Sequence, residues 1–167
     1  MGIKIQQPDV EMVMDLADNL CEEDIVECEL FGCSPQEACM QALIKTDQDV
    51  CWMATRNDVP LCMWGVHKEN PPVILGKMFQ TSGRVWMLMA KDVSRLDKFT
   101  ILRESLKWVE IFNSHYDLLF NIADSKRQGI KKFLKFAGFD ILDFTEPPYS
   151  TDHIYFVRCN PKDNVIH

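Results

Sequence analysis

The side chains with chemical reach are seven cysteines, four histidines and a scatter of acids and hydroxyls. Cys21, Cys28, Cys33, Cys39, Cys51, Cys62 and Cys159 are odd in number and include no Cys-x-x-Cys pair. Neither a disulfide framework nor a structural zinc site is expected from that spacing. They read as reduced thiols that pack as small hydrophobes. His67, His115, His153 and His167 stand singly and read as surface or hydrogen-bonded histidines. Asp140 and Asp143 have the spacing of ordinary turn acids rather than of a carboxylate pair built for general acid and base work. Ser94 and Ser105 lack the glycine-flanked elbow that exposes a nucleophilic serine. Trp52, Trp64, Trp86 and Trp108 fall within apolar patterns, which assigns them to packing rather than ligand stacking.

The elements that must carry these residues belong to one ordinary soluble domain. The 167 residues are 47% hydrophobic and 26% charged, which excludes a disordered or fibrous chain. No apolar run approaches the roughly 18–20 residues of a bilayer span, so membrane insertion is not expected. The start of the chain lacks a secretory signal, and Gln6 stands where myristoylation prefers Ser or Thr, so a reducing cytosol is the expected compartment. A net charge of −7 excludes a general nucleic-acid binder.

That charge is uneven. Between positions 5 and 44 lie ten acids, among them Asp15, Asp18, Glu22, Glu23, Asp24 and Glu27, and no Lys or Arg, so the rest of the chain carries +3. A solvated helical face is the plainer reading. The sharper one is a docking surface for a basic partner or for the positive half of the same molecule.

Ile3 to Ile5 alternates like a strand, and Pro8-Asp9 opens a helix with Val10, Val13, Ala17 and Leu20 at helical spacing. A second helix is predicted over Glu22–Phe31, stopped by Gly32. Ser34-Pro35 starts a third, with Ala38, Ala42 and Leu43 inward. Val50–Thr55 and Val59–Val66 read as a hairpin around Asn57-Asp58. Val73–Leu75 reads as a brief extension after Pro71-Pro72. Arg84–Ala90 reads as a strand apolar on both sides, hence interior to a sheet. Phe99, Leu102, Leu106, Val109 and Phe112 line a long helix from near Val93 to near Asn113. Leu118–Ala123 is the next strand. Lys126–Ala137 is a helix stopped by Gly138, with Lys126, Arg127, Lys131, Lys132 and Lys135 on its outer side. Phe139–Phe144 and Ile154–Cys159 close the chain as strands.

The order of these elements, together with Phe133-Leu134-Lys135-Phe136-Ala137-Gly138-Phe139, resembles the GNAT acyltransferases. The resemblance implies an α/β (α+β) fold with a central mixed, mostly antiparallel sheet flanked by helices. The layout is also similar to the GNAT-like internal virion protein A family of short-tailed phages. That likeness is carried by Leu16-Ala17-Asp18-Asn19-Leu20, Glu23-Asp24, Phe31-Gly32-Cys33-Ser34-Pro35, the tryptophan strand and Ala123-Asp124 before Phe133–Phe139, taken as a set. It implies a late phage product connected with virion assembly or the internal head proteins, found in the host cytoplasm or the virion.

The resemblance also says where acetyl-CoA would bind. The family places Gln/Arg-x-x-Gly-x-Gly/Ala before the long helix. Here Ala90-Lys91-Asp92-Val93-Ser94-Arg95-Leu96-Asp97 has no glycine, and Asp92 and Asp97 oppose phosphate. Lys91, Arg95 and Lys98 partly offset them. If an acyl-CoA binds, Lys91, Val93, Ser94 and Arg95 are the residues that would meet it. Gln128-Gly129 mimics a fragment of the loop but lies elsewhere. Leu134 occupies the position of the family's acid tyrosine, Arg127 that of its asparagine, and Tyr116, Tyr149 and Tyr155 all lie outside that helix. His67 and Glu69 are the conceivable bases, although both read more simply as loop residues.

The expected function is therefore contact with a protein, of the virion or of the host, with no catalytic residues and no cofactor. The surfaces expected to carry it are Asp15, Asp18, Glu22, Glu23 and Glu27, and Arg127, Lys131, Lys132 and Lys135. The alternatives are a divergent N-acetyltransferase using acetyl-CoA and a phage inhibitor that binds a host protein.

Overall fold

The computed structural model describes residues 2–71, 79–142 and 152–160. The predicted extension at Val73–Leu75, the end of the predicted strand beyond Leu142, Asp143, Tyr149 and His167 lie outside the described residues. The elements run β1 (Lys4–Gln6), α1 (Val10–Asp18), α2 (Glu22–Leu30), α3 (Pro35–Lys45), β2 (Cys51–Arg56), β3 (Val59–Lys68), β4 (Ser82–Met89), α4 (Arg95–His115), β5 (Leu118–Asp124), α5 (Ile130–Phe136), β6 (Asp140–Leu142) and β7 (His153–Cys159). The strands form a mixed, mostly antiparallel sheet in the order β1-β2-β3-β4-β5-β7-β6. β4 is interior, as its two-sided apolar sequence requires, and it pairs with β5 in parallel. Contacts divide the chain into two compact units, Met1–His67 with Trp86–Arg103 and Lys68–Val85 with Glu104–His167.

In the first unit local chemistry sets the element ends. Asp9 caps α1 by accepting from Met12 N–H at 2.8 Å. Ser34 and Glu37 form a reciprocal capping box on α3, with Pro35 in its first turn. Asn57 and Asp58 both have positive φ, 52° and 63°, which is the backbone of a two-residue hairpin turn between β2 and β3. The ladder slips between Ala54 and Thr55, where Ala54 faces Cys62 and Thr55 faces Pro60. Val13, Leu16 and Ala17 of α1 and Cys39 of α3 are buried, as are Met53 and Ala54 of β2 and Cys62, Met63, Trp64 and Val66 of β3. Val10, expected inward, is 56% exposed, while Leu16 takes the core position. Gly65 sits where backbone and ring crowd together: a Cβ there would lie 2.7 Å from Cζ2 of Trp86 and 2.8 Å from the Val50 carbonyl oxygen. Trp86 is held in place because its indole N–H donates to Thr46 Oγ1 at 3.2 Å.

The second unit is built on β5 and β7, paired antiparallel from Leu118↔Cys159 to Asp124↔His153. Leu118, Phe120 and Val157 form its buried cluster, with Phe79, Leu142 and Cys159 packed against them. The β4–β5 ladder covers Ser82↔Leu118 to Arg84↔Phe120; beyond it the Asn121 amide donates to the Val85 carbonyl at 2.6 Å. Phe139 meets Phe156 edge-on at 5.2 Å. The Arg158 guanidinium donates to Asn113 and Glu110 of α4.

Two helices depart from expectation. The buried positions of α4 are Asp97, Ile101, Ser105, Val109, Phe112 and Asn113, of which three are polar, and Phe99 is 64% exposed. α5 begins at Ile130 rather than Lys126, because Gly129 holds a left-handed φ of 75° and the preceding residues form a turn in which Arg127 N–H donates to Asp124 O. Arg127 is therefore half-buried in that turn, not on the outer helix face with Lys131, Lys132 and Lys135.

The crowding at Gly65 gives a direct check. Gly65→Ala is expected to lower stability by about 1–3 kcal/mol through overpacking against backbone. Urea unfolding should show a lower midpoint with an unchanged slope.

Candidate functional site

The turn from β4 into α4 is the place where the fold could offer backbone amides to an anion, since a helix N-terminus carries unpaired N–H groups and a partial positive charge. In this chain the same turn supplies a partner for one of those amides and a carboxylate of its own. Ser94 caps α4: its Oγ accepts from Asp97 N–H at 3.1 Å, and its carbonyl accepts from Lys98 N–H at 2.9 Å. Asp97 places a carboxylate in the first helical turn, and Arg56 at the end of β2 donates to both of its oxygens. That fork holds the Asp97 carboxyl below the usual carboxylate range, with the Ser94 hydroxyl contributing less. The expectation that Asp97 repels phosphate from solvent is corrected accordingly: it is 6% exposed and paired, a built-in anion rather than a free one.

The last residues of β4 are claimed in the same way. Along a strand, successive residues direct their N–H and C=O groups to opposite edges. Ala90 N–H turns to β3 and donates to Leu61 O at 2.9 Å. On the other edge Met89 O accepts from Cys21 N–H at 2.9 Å, Met89 N–H donates to Asp24 Oδ2 at 2.7 Å, and Lys91 N–H donates to Asn19 O at 2.8 Å. An antiparallel bridge between Leu20 and Ala90 completes the contact. The α1–α2 connection thus lies against the end of β4 as a short extra strand would. Asp24 is 1% exposed, so one of the ten acids of the acidic segment is a buried anchor and not part of a solvated face.

The cofactor candidates divide by burial. Lys91, Ser94 and Arg95 are exposed neighbours on the turn, and Val93 is buried at 6% exposure. An acyl-CoA offers a pyrophosphate, two amides and a thioester. The glycine-free turn, the Ser94 cap, the Asp97–Arg56 pair and the filled edge of β4 do not fit those groups. Leu134, which the resemblance sets where the family has its tyrosine, is 3% exposed and has no titratable proton. Glu69 directs its carboxylate to Arg84 at 3.3 Å, and its carbonyl accepts from the Ser82 hydroxyl at 2.6 Å, so it is engaged in the structure. His67 lies near the end of β3 and is half-buried.

No group of three or more His, Cys, Asp or Glu able to hold a metal occurs among the described residues. All seven cysteines are free thiols. Burial pushes Cys39 and Cys51 up to about 12 and Cys28 up to about 11. Such thiols are poor nucleophiles near neutral pH.

The surface candidates are mostly where the sequence puts them. Asp15, Asp18, Glu22 and Glu23 are exposed and Glu27 is half-buried, with Asp18 accepting from the Gln36 amide of α3 at 2.8 Å. Lys131, Lys132 and Lys135 are exposed on α5. Sequence reasoning missed Asp24, Arg56 and Asp97 as a set, because nothing in their spacing links positions brought together only by the sheet.

No family model and no curated protein matches the sequence. Solved structures do match. Ribosomal-protein-alanine N-acetyltransferase from Brucella melitensis shares 13% identity at a TM-score of 0.64, over 93% of this chain and 99% of that one. Aminoglycoside 6'-acetyltransferase type Ii shares 14% at 0.62, over 93% and 96%. An acetyltransferase of the GNAT family from Streptococcus pneumoniae shares 13% at 0.59, over 93% and 97%. At such identities the likeness shows the fold, and the fold is that of the GNAT acetyltransferases. Among the described residues no helix is long and apolar enough to cross a membrane.

The Arg56–Asp97 pair makes stability depend on pH. Because the folded carboxyl titrates below its unfolded value of about 3.9, the stabilisation is complete above that value and is lost as the pH falls through the lower, folded one. Arg56→Met should move the acid unfolding midpoint, followed by circular dichroism, to higher pH. An unchanged midpoint would mean that the pair does not hold the turn.

Proposed function

We propose that this chain is a GNAT-fold protein that works through contact with another protein and not by acyl transfer. The observation that carries the reading is the self-occupied β4–α4 turn. Ser94 takes the Asp97 amide, Arg56 pairs with the Asp97 carboxylate, and Asn19, Cys21 and Asp24 take the strand edge beside them. A ligand with a pyrophosphate and amides would have to displace bonds the chain already makes, each net worth about 0.5–1.5 kcal/mol and more where a charge takes part. Leu134 at the acid position supports the same reading.

The resemblance carried by Leu16-Ala17-Asp18-Asn19-Leu20, Phe31-Gly32-Cys33-Ser34-Pro35 and Phe133–Phe139 extends the proposal to a role in phage virion assembly or infection. The protein would then work in the host cytoplasm or the virion, with a virion or host protein as partner. One observation favours a second reading, a divergent N-acetyltransferase: the fold is shared with solved acetyltransferases, and Lys91, Arg95 and Lys98 are exposed at the helix start.

Calorimetric titration with acetyl-CoA and with free CoA, at low and moderate salt, separates the two. The first reading predicts no saturable binding tighter than a Kd of about 1 mM. Saturable binding at about 1–10 μM would establish the second reading.

A further inference from the structure

α2 and α5 present surfaces of opposite charge, each with exposed apolar side chains. On α2, Glu22, Val26, Glu29 and Leu30 fall at helical spacings of four, seven and eight and share one face. Glu22 and Glu29 are exposed, Val26 is 41% exposed and Leu30 60%, with Phe31 at 63% just beyond. The opposite face, with Asp24 and Cys28, is buried. α2 therefore offers an apolar ridge fringed by carboxylates and contains no basic residue. α5 is the converse: Lys131, Lys132 and Lys135 are exposed, Phe136 is 61% exposed one turn on from Lys132, and Ile130–Phe136 contains no acid. Beside α5 opens a cavity of about 680 Å³ whose lining includes Lys131, Lys135, Phe139, Leu142 and Ile154, with Asp140 as an acid in the same lining. Its cations and apolar side chains are complementary to the fringe and ridge of α2.

We infer that the acidic, apolar face of α2 docks on the lysine-fringed face of α5 and its cavity in a second copy of this chain. The occupant is a second copy because the same sequence carries both halves of the match: ten acids without a base over positions 5–44, and +3 on the remainder. The contact is heterologous, one face meeting a different face, so it leaves one free surface of each kind for a further copy. Carboxylates and ammonium groups at the fringe set register and encounter rate, and the apolar ridge supplies the buried area. The inference deepens the protein-contact reading and names a partner for it. Micromolar acyl-CoA binding would overturn that reading while leaving the self-association result intact.

The test is sedimentation velocity of the full chain at about 0.01 M and about 1 M salt, where charges are screened over about 30 Å and about 3 Å. The wild type should form species heavier than the monomer in low salt and return toward monomer in high salt. Lys131→Glu with Lys135→Glu, and separately Glu22→Lys with Glu29→Lys, should each weaken association at least tenfold. Their equimolar mixture should restore it, because one wild-type pairing is available between the two variants. Val26→Ser with Leu30→Ser, which leaves the charge alone, should also weaken it. A wild type that stays monomeric on the order of 1 mM in low salt would overturn the inference. So would charge-reversed variants that associate as the wild type does, or a mixture that stays monomeric.

Discussion

A strand that ends inside a protein must find partners for its last amides and carbonyls, since each one buried without a partner costs on the order of a hydrogen bond. In this chain the end of β4 meets that requirement internally. The α1–α2 connection supplies Cys21 N–H to Met89 O and Asn19 O to Lys91 N–H, while Asp24 receives Met89 N–H. Much else follows from this closure. It fixes where α1 ends, draws an acid into the core, and fills with polypeptide an edge that would otherwise be free for a ligand. The start of α4 repeats the principle with side chains, through Ser94, Asp97 and Arg56.

Burial sorts the acids of the N-terminal helices into two roles. Asp24 is enclosed and hydrogen-bonded, so it acts as an anchor. Asp15, Asp18, Glu22, Glu23 and Glu29 face water, where their charge stays solvated. The lysines of α5 are exposed on a short helix whose start Gly129 delays and whose buried side is held by Leu134. The fold is that of the GNAT acetyltransferases, and a fold by itself does not assign an activity, because function resides in sites and not in architecture.

Where a local rule decides, the sequence could be read directly. Asn57-Asp58 accept the left-handed backbone of a tight hairpin, Ser34, Pro35 and Glu37 announce a capped helix, and Gly32 and Gly138 mark helix ends with φ of 70° and 80°. The element order and the interior place of β4 followed from such signals. Hydrophobic periodicity failed on α4 because the buried stripe contains Asp97 and Ser105, polar residues that count against burial until their partners are known. It failed at the start of α5 because the charge pattern continues through a turn that only the Gly129 backbone reveals. The absence of glycine from positions 90–97 was legible. The bonds made there were not, because Asp24 meets Met89, and Arg56 meets Asp97, across 65 and 41 residues of chain.

Amide hydrogen exchange at Met89, Lys91 and Asp97, with and without saturating CoA, tests most directly whether the chain itself closes the end of β4 and the start of α4. The account predicts slow exchange at all three amides in the protein alone, unchanged by CoA, because their acceptors are Asp24, Asn19 and Ser94. Fast exchange at these amides that becomes slow only when CoA is added would show an open edge awaiting a ligand, and would contradict it.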